Sequence, residues 1–189
     1  TDEKTMLFVI GALKMQNEKL VSIFAKEGKK AIGIFSGVFK AKEIKNLGLV
    51  GEIFDVNTEP LTSLMNIGYT PVIAPLGSSG EKTLNINADF AASSLAVSLN
   101  ASKLILLTDV EGVYRNIEEK NSLIPFLTAR DAQKLLNENI VRGGMVPKVE
   151  SALKAVFGGV KSAHIIKAEE HSLLLEILTE EGRGTMITI

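Results

Sequence analysis

One segment of the sequence combines glycines, a proline and a lysine in an order suited to binding an anion. Gly143 and Gly144 allow the backbone to approach a ligand closely, and Pro147 suits the first turn of a helix predicted over 145–157. A helix N-terminus favours anions, whereas Lys148 so near to it would oppose the helix dipole unless an anion were bound. The pattern therefore favours a phosphate site over a simple solvated lysine.

A second group of polar residues precedes an alanine-rich helix predicted over 88–99. Strand-like alternation places Asn85 and Asn87 on one side of the chain, and Asp89 falls in the first helical turn. Asn and Asp are also preferred at helix starts for capping alone. Two interpretations stay open here: three polar groups that converge on a polar ligand, or an ordinary helix cap.

A third group follows a strand predicted over 103–107. Thr108 and Asp109 end this strand, and Gly112 comes shortly after them. In open parallel sheets, ligands bind beyond the carboxyl ends of the strands, so this hydroxyl and carboxylate could contact a nucleotide or a hydrated magnesium ion. A capped turn closed by Gly112 accounts for the same residues, and both interpretations stay open.

Other candidate residues have weaker patterns. Residues 77–83 are rich in Gly, Ser and Lys like a phosphate-binding loop, but they lack the G-x-x-x-x-G-K-[ST] spacing and are interpreted as a turn. His164 lies within a strand predicted over 161–166 and is interpreted as structural. His171 precedes an apolar helix predicted over 171–178 and is explained by capping.

The composition excludes several classes of protein. The 189 residues include 21 Lys and Arg against 22 Asp and Glu, and this balance argues against nucleic acid as the main partner. Without cysteine, disulfides and thiolate metal sites are excluded, and two histidines are too few for a histidine-rich site, so no protein metal site is expected. No apolar run approaches the roughly 20 residues of a membrane span. The first residues have no signal-peptide character, and we expect a cytoplasmic protein.

Strands and helices alternate along the chain. Apolar residues at helical spacing predict a long helix over 2–27, and glycines with alternating apolar positions predict a hairpin within 36–57. Thr58 is predicted to cap a helix that has Pro60 in its first turn. The run over 69–76 is apolar throughout, as in a central parallel strand covered on both faces.

Further elements complete the predicted layers. Another helix is expected near 128–139, and further strands are expected at 30–35 and 185–189. This alternation predicts an α/β fold, in which a mostly parallel open sheet lies between helix layers as a three-layer α/β/α sandwich.

Several segments together resemble the amino acid kinase family. They are NINAD at 85–89, LILLTDVEGV at 104–113 and GGMVPKV at 143–149, in the family's order and spacing. The segments GLVGE at 48–52, GYTPVIAP at 68–75, HSLLLE at 171–176 and GRGTMI at 182–187 are also similar to the family. The resemblance covers essentially the whole chain and implies the family's α/β/α sandwich.

This resemblance implies a reaction. ATP, accompanied by Mg²⁺, would phosphorylate the γ-carboxylate of N-acetyl-L-glutamate to give N-acetyl-L-glutamyl 5-phosphate, a step of arginine biosynthesis. Lys148 would be catalytic by stabilising the transferring phosphoryl group, and Asp89 by organising the catalytic lysines. Asn85 would hold the carboxylate of the substrate, with Asn87 supporting the site.

The resemblance also assigns other sites. Gly143 and Gly144 would form the phosphate loop. The nucleotide pocket would be lined by Thr108, Asp109, Val110, Glu111, Gly112, Val113, Tyr114, Ile140, Val141 and Arg142. A possible arginine effector would bind at His171, Glu176, Gly182 and Gly184. Residues 1–75 would be the remainder of a substrate and dimerisation lobe, residues 76–189 would be the nucleotide lobe, and the protein would be a homodimer or a hexamer.

The sequence departs from the family pattern in several places. It contains neither the Lys-x-Gly-Gly nor the Gly-Gly-Gly motif that normally ends the family's first two strands. The predicted hairpin within 36–57 is shorter than usual, and 167–170 lacks the usual Asp-Gly-Arg. We therefore expect that these 189 residues alone would not catalyse the phosphoryl transfer. Alternatives are a related kinase acting on carrier-bound aminoadipate or glutamate, and a non-catalytic regulatory domain that binds nucleotide or arginine.

Overall fold

The long helix predicted over 2–27 is present, and its two ends lie within one residue of the predicted bounds. In this computed structural model, helix α1 spans Glu3–Lys26, and Oδ1 of Asp2 accepts a hydrogen bond of 2.7 Å from the backbone N of Thr5. Gly28 follows the helix with φ 66°, a left-handed conformation that glycine adopts without steric cost. The structure describes residues 1–116, 118–178 and 183–189.

The chain divides into two compact units, Thr1–Ala91 and Ala92–Ile189. The predicted functional boundary lies earlier, between residues 75 and 76, and the division into a substrate lobe and a nucleotide lobe stays a prediction. None of the helices among the described residues is long and apolar enough to cross a membrane.

The first unit contains two sheets. Parallel pairing joins β1 to β4, and a second sheet has the strand order β3-β2-β5-β6, in which β2 and β5 are parallel and the outer pairs are antiparallel. The predicted hairpin within 36–57 is confirmed as β2 and β3. The bounds are β1 Ala31–Ile34, β2 Phe39–Glu43, β3 Gly51–Val56, helix α2 Glu59–Asn66, β4 Thr70–Ile73, β5 Leu76–Ser79 and β6 Lys82–Asn85. Helix α3, Ala88–Ser98, begins in the first unit and continues past Ala91 in the second.

Three local predictions in this unit need correction. The apolar run 69–76 is not one buried central strand, because it divides between β4 and β5, which belong to different sheets, and the last three residues of β4 are only half-buried. The prediction that the side chain of Thr58 caps α2 is wrong. Thr58 has helical backbone angles (φ −90°, ψ −13°), and Oδ1 of Asn57 instead accepts from the backbone N of Glu59 at 3.3 Å.

The third correction concerns the end of β6. Asn87 was predicted to continue a strand beside Asn85, but β6 ends at Asn85 and α3 begins one residue after Asn87. The segment 77–83 was interpreted as a turn, but the turn is confined to Gly80 and Glu81, and the other five residues belong to β5 and β6, which pair antiparallel around Gly80 with its φ of 59°.

The second unit is built on one four-stranded sheet of order β7-β9-β10-β8. β7 pairs with β9 and β8 pairs with β10 in parallel, whereas β9 and β10 are antiparallel. The α/β class is confirmed, with sheets of mixed direction. The bounds are β7 Lys103–Thr108, a 3₁₀ turn Lys120–Ser122, β8 Phe126–Thr128, helix α4 Ala129–Asn137, helix α5 Met145–Phe157, β9 Ser162–Lys167, helix α6 Ser172–Leu178 and β10 Thr185–Thr188.

The core of the second unit forms where α4 and α5 pack on this sheet. β9 lies between two strands, and its residues 162–166 are all buried, whereas burial in β7 reaches Leu104 and Leu106 but leaves Leu107 53% exposed. On the helices, Ala132 and Val149 are fully buried. The buried apolar residues of these segments thus form one packed core of sheet and helices. The loops after β7 and before α5 extend from this core.

A chain of buried polar groups lies inside the same unit. Nε2 of His164 and Oγ of Ser162 are 2.8 Å apart, and Nδ1 of His164 lies 2.7 Å from Oε1 of Glu176. Oε2 of Glu176 accepts hydrogen bonds from the backbone N of Arg183 at 2.7 Å and of Gly184 at 3.1 Å. The structural interpretation of His164 agrees with these contacts, and Glu176 joins α6 to β9 and to the chain entering β10.

Removing Glu176 should destabilise the protein strongly. In Glu176→Ala, His164 and two backbone N–H groups lose their acceptor in the interior, which should lower the free energy of unfolding by about 3 to 5 kcal/mol. Urea unfolding measures this loss. The matched control is Glu170→Ala, because that side chain is 90% exposed and should change stability by less than about 0.5 kcal/mol. Equal stabilities of the two variants would contradict the assignment.

Candidate functional site

Two segments that are distant in sequence line one cavity in the second unit. The cavity has a volume of about 270 Å³ and lies between the loop that follows β7 and the segment that leads into α5. Its lining residues are Val110, Gly112, Val113, Tyr114, Arg115, Asn116, Ile140, Val141, Arg142 and Met145. Seven of the ten predicted nucleotide residues therefore meet at one concave surface, as a small-molecule site requires.

The other three predicted nucleotide residues lie outside this lining. Thr108 is the last residue of β7, and its hydroxyl donates a hydrogen bond of 3.1 Å to Oδ1 of Asp109. Glu111 lines a neighbouring cavity of about 220 Å³ together with Lys167, Glu169, Ser172 and Arg183. This smaller cavity has two cationic and two anionic side chains.

Tyr114 is fixed at the wall of the larger cavity. Its hydroxyl donates a hydrogen bond of 2.7 Å to Oε2 of Glu111. This hydrogen bond to the carboxylate, with some burial, raises the pKa of Tyr114 to about 12, so the phenol stays protonated at neutral pH. Glu111 thus contributes to the cavity through Tyr114.

The entrance to α5 has the features expected of an anion site. Gly143 has φ 56°, a conformation that favours glycine, and Gly144 occupies the N-cap position of α5. Lys148 is half-buried on the second turn of the helix. Before the helix, Nε of Arg142 donates a hydrogen bond of 2.7 Å to the backbone O of Asn139, and Arg142 lines the cavity. Arg142 and Met145 line the cavity that the loop after β7 completes, whereas Gly143, Gly144 and Lys148 lie outside its lining, beside it in the sequence.

The predicted polar residues of the first unit lie at the start of α3. Oδ1 of Asn87 accepts hydrogen bonds from the backbone N of Asp89 at 3.0 Å and of Phe90 at 3.1 Å, so its capping interpretation is confirmed. Asp89 lies in the first helical turn, and Asn85 is half-buried at the end of β6, where its backbone N donates to the O of Leu49. A ligand-binding role for these three residues stays a prediction.

The predicted effector residues occupy different environments. Glu176 and Gly184 are buried and hydrogen-bonded to each other. His171 has φ 65° and an exposed side chain, and its Nε2 lies 3.5 Å from Oε1 of Glu170. Gly182 lies outside the described residues.

Three cavity residues were missed from the sequence. Arg115 and Asn116 continue the loop beyond Tyr114, and Met145 follows the glycine pair directly. Their adjacency to predicted residues was the available signal, although neighbouring positions can equally face away. Among residues 1–116, 118–178 and 183–189, no group of three or more His, Asp or Glu side chains lies close enough to hold a metal ion.

Curated relatives share the sequence across nearly its whole length. The acetylglutamate kinase of Caldanaerobacter subterraneus subsp. tengcongensis is 48% identical over 99% of this chain and 66% of its own length. The acetylglutamate kinase of Carboxydothermus hydrogenoformans is 43% identical over 100% of this chain and 70% of its own length. The chain thus spans about two thirds of the length of the curated relatives it matches.

A solved structure with the same fold is N-acetylglutamate synthase from Neisseria gonorrhoeae, in complex with coenzyme A and N-acetylglutamate. It superposes with a TM-score of 0.90 at 28% identity, over 100% of this chain and 45% of the synthase chain. The model of the amino acid kinase family matches residues 1–167, which include both segments that line the larger cavity. Family match, fold and cavity agree, and the chain belongs to the amino acid kinase family.

Proposed function

We propose that the protein transfers the γ-phosphoryl group of MgATP to the γ-carboxylate of N-acetyl-L-glutamate. The observation that carries this proposal is the meeting of 110–116 and 140–145 at one cavity, directly before the helix that holds Lys148. Identities of 43 to 48% to acetylglutamate kinases support the choice of substrate. A cytoplasmic location, where ATP is available, fits this reaction.

The acceptor explains why the candidate site needs no general base. A carboxylate of this type has a pKa of about 4.3 in model peptides and is ionised at neutral pH, so no proton has to be removed before attack. The barrier lies instead in positioning two anions and in neutralising the charge on the transferring phosphoryl group. Side chains that hold charge and geometry are therefore the ones to expect.

Roles follow for individual residues of the second unit. The 110–116 and 140–145 walls would hold the base and sugar of ATP, while Gly143 and Gly144 would let the backbone approach its phosphates. Mg²⁺ would enter with ATP, bound by the phosphate oxygens. Lys148 would neutralise charge that develops on the equatorial phosphoryl oxygens during transfer.

In the first unit, we propose that Asn85 holds a carboxylate of the acceptor and that Asp89 orients catalytic lysines. Asn87 would support the site by capping α3, since its Oδ1 fixes the backbone N of Asp89. The capping bond thereby sets the position of the first helical turn, on which Asp89 lies.

Replacing Lys148 tests the proposed reaction. In a coupled assay of ADP release by the full-length protein with MgATP and N-acetyl-L-glutamate, Lys148→Ala should lower kcat/KM by about 100-fold or more, a ΔΔG‡ near 2.7 kcal/mol. The control is Lys161→Ala, because Lys161 is an exposed lysine before β9 and its loss should leave the rate unchanged.

Other outcomes of this assay distinguish the alternatives. Activity only with carrier-bound aminoadipate or glutamate would retain the chemistry and change the substrate. Nucleotide binding without phosphoryl transfer to any carboxylate would contradict the proposed reaction and favour a regulatory domain. Equal activity of Lys148→Ala and the parent protein would remove Lys148 from the mechanism.

We also propose self-association through α1. Phe8, Gly11, Ala12 and Met15 recur at helical spacing and are all exposed, with Phe8 68% and Met15 71% accessible. A homodimer, alone or within a hexamer, would bury this apolar stripe, and the two small residues would let a second helix approach closely.

Charge on this stripe should prevent self-association. Combining Phe8→Lys with Met15→Lys places two ammonium groups where an apolar contact would form, and light scattering should then give the mass of a smaller species. Lys14→Glu is the control, because it changes charge on a different face of the same helix. An unchanged mass for the double variant would contradict the proposed interface.

Arginine is the proposed effector at the C-terminal segment. Because the carboxylate of Glu176 already binds His164 and two backbone amides, its proposed contribution is to shape the segment, and the exposed His171 is the candidate contact. Asn is the suitable replacement at 171, because the φ of 65° disfavours most other residues and Asn tolerates it.

An inhibition assay tests this proposal. Millimolar arginine should inhibit the full-length protein, and His171→Asn should raise the inhibitory concentration by roughly fivefold, which corresponds to about 1 kcal/mol for one hydrogen bond. Unchanged activity of the parent protein in millimolar arginine would exclude the effector.

A further inference from the structure

The loop that forms one wall of the larger cavity is held by hydrogen bonds within itself and by bonds from its ends to the sheet. Gly112, Val113 and Tyr114 line the cavity, and the chain returns to the sheet at Ile124, just before β8. The two ends of the loop meet where the backbone N of Ile124 donates to the O of Val113 at 2.8 Å. Something must fix this pair of residues relative to the sheet.

Thr185, the first residue of β10, fixes both ends of the loop. Its Oγ1 accepts a hydrogen bond of 2.8 Å from the backbone N of Val113 and donates one of 2.7 Å to the backbone O of Ile124. Thr185 has no accessible surface, and Val113 is 1% exposed, so water cannot replace either bond. One hydroxyl therefore satisfies a buried donor on the outgoing chain and a buried acceptor on the returning chain.

Gly112 lines the cavity and packs directly against Thr185. A Cβ added at Gly112 would lie 2.5 Å from Oγ1 of Thr185 and 3.0 Å from its backbone N. The backbone of the loop thus packs against β10 at Thr185. The position of Gly112 in the cavity wall therefore depends on the size and position of the threonine side chain.

The start of β10 is itself held by buried contacts. Gly184, directly before Thr185, donates its backbone N to Glu176, and Thr185 pairs with Ile165 of the central strand β9. Thr185 therefore links the sheet to a loop whose described residues contain the Tyr114–Leu123 bridge and the 3₁₀ turn Lys120–Ser122.

We propose that Thr185 is a positioning residue for nucleotide binding, which acts through the backbone of Val113 and Gly112 and rests on the proposed nucleotide function of the cavity. The side chain does not line the cavity. Its loss should weaken the binding of nucleotide while leaving the rate at saturating ATP nearly unchanged, because the residues that contact the phosphoryl group stay in place.

Matched replacements of Thr185 separate the hydroxyl from the shape of the side chain. Thr185→Val keeps the shape and removes the hydroxyl, so MgADP binding by isothermal titration calorimetry should weaken about tenfold, the value of one buried hydrogen bond. Thr185→Ser keeps the hydroxyl and should bind MgADP within about threefold of the parent protein. Thr188→Val, on the same strand, is the control, because the Oγ1 of Thr188 donates a long hydrogen bond of 3.4 Å to the O of Ile189 and, among the described residues, is not bonded to the loop.

Amide hydrogen exchange of Val113 tests its hydrogen bond to Thr185 in the absence of any ligand. The amide of Val113 should be protected in the parent protein and in Thr185→Ser, and should exchange faster in Thr185→Val. Unchanged protection in a folded Thr185→Val would overturn the positioning role. Should Thr185→Val fail to fold, Gly112→Ala provides the second variant, because its Cβ would push the loop away from Thr185 and should also weaken MgADP binding.

The two proposals can fail separately. A parent protein that binds no MgADP would overturn the proposed nucleotide function, whereas the exchange of Val113 would still decide whether Thr185 anchors the loop. Unaltered MgADP affinity in a folded Thr185→Val would overturn the positioning role while leaving the nucleotide function intact. A reduced affinity with an equal fall in the rate at saturating ATP would also overturn it, because that result assigns Thr185 to the transfer step.

Discussion

Buried polar groups in the second unit must find partners within the protein, because an unsatisfied donor or acceptor in the interior costs about 1 to 3 kcal/mol. Glu176 and Thr185 meet this requirement through side-chain hydrogen bonds that add to the strand pairing of the sheet. Glu176 connects β9 to the chain entering β10, and Thr185 connects β10 to the loop at Val113 and Ile124. Hydrogen bonds therefore attach the cavity wall to the sheet and hold the ends of the loop in one position.

The same requirement explains how irregular backbone can serve as a binding surface. Gly112 and Gly143 let the chain approach a neighbour or turn with positive φ, but glycine alone adds freedom and does not select a conformation. The selection comes from side chains behind the surface, such as Thr185 at one wall and Glu111 at Tyr114. In such a site, the positions of the ligand-facing atoms are set by side chains packed behind the loop, so few charged residues need to contact the ligand.

Buried polar residues also arise in the first unit. Asn17 of α1 is 4% exposed, and its Nδ2 donates to the backbone O of Val72 at 2.7 Å. Gly33 leaves the space that this amide occupies, because a side chain there would collide with Asn17. The apolar spacing that predicts the helix over 2–27 assigns no role to Asn17. Only the packing of α1 on β1 and β4 shows that it is an internal hydrogen-bonding group.

Local sequence patterns determined most elements of this protein and the segments that form its candidate site. Helical spacing predicted α1 and α5, because short-range spacing reflects local backbone preference directly. Resemblance to the amino acid kinase family assigned Tyr114 and residues 140–142 to the nucleotide pocket, and these residues line the cavity. Tertiary structure decided the division of 69–76 between two sheets and the burial of Glu176. It also decided that Thr185 holds Val113, 72 residues earlier in the chain. Such contacts depend on which strands become neighbours. The pairing of strands is the one that leaves the fewest unsatisfied polar groups and the least exposed apolar surface in the whole unit. Local sequence patterns therefore do not predict these contacts.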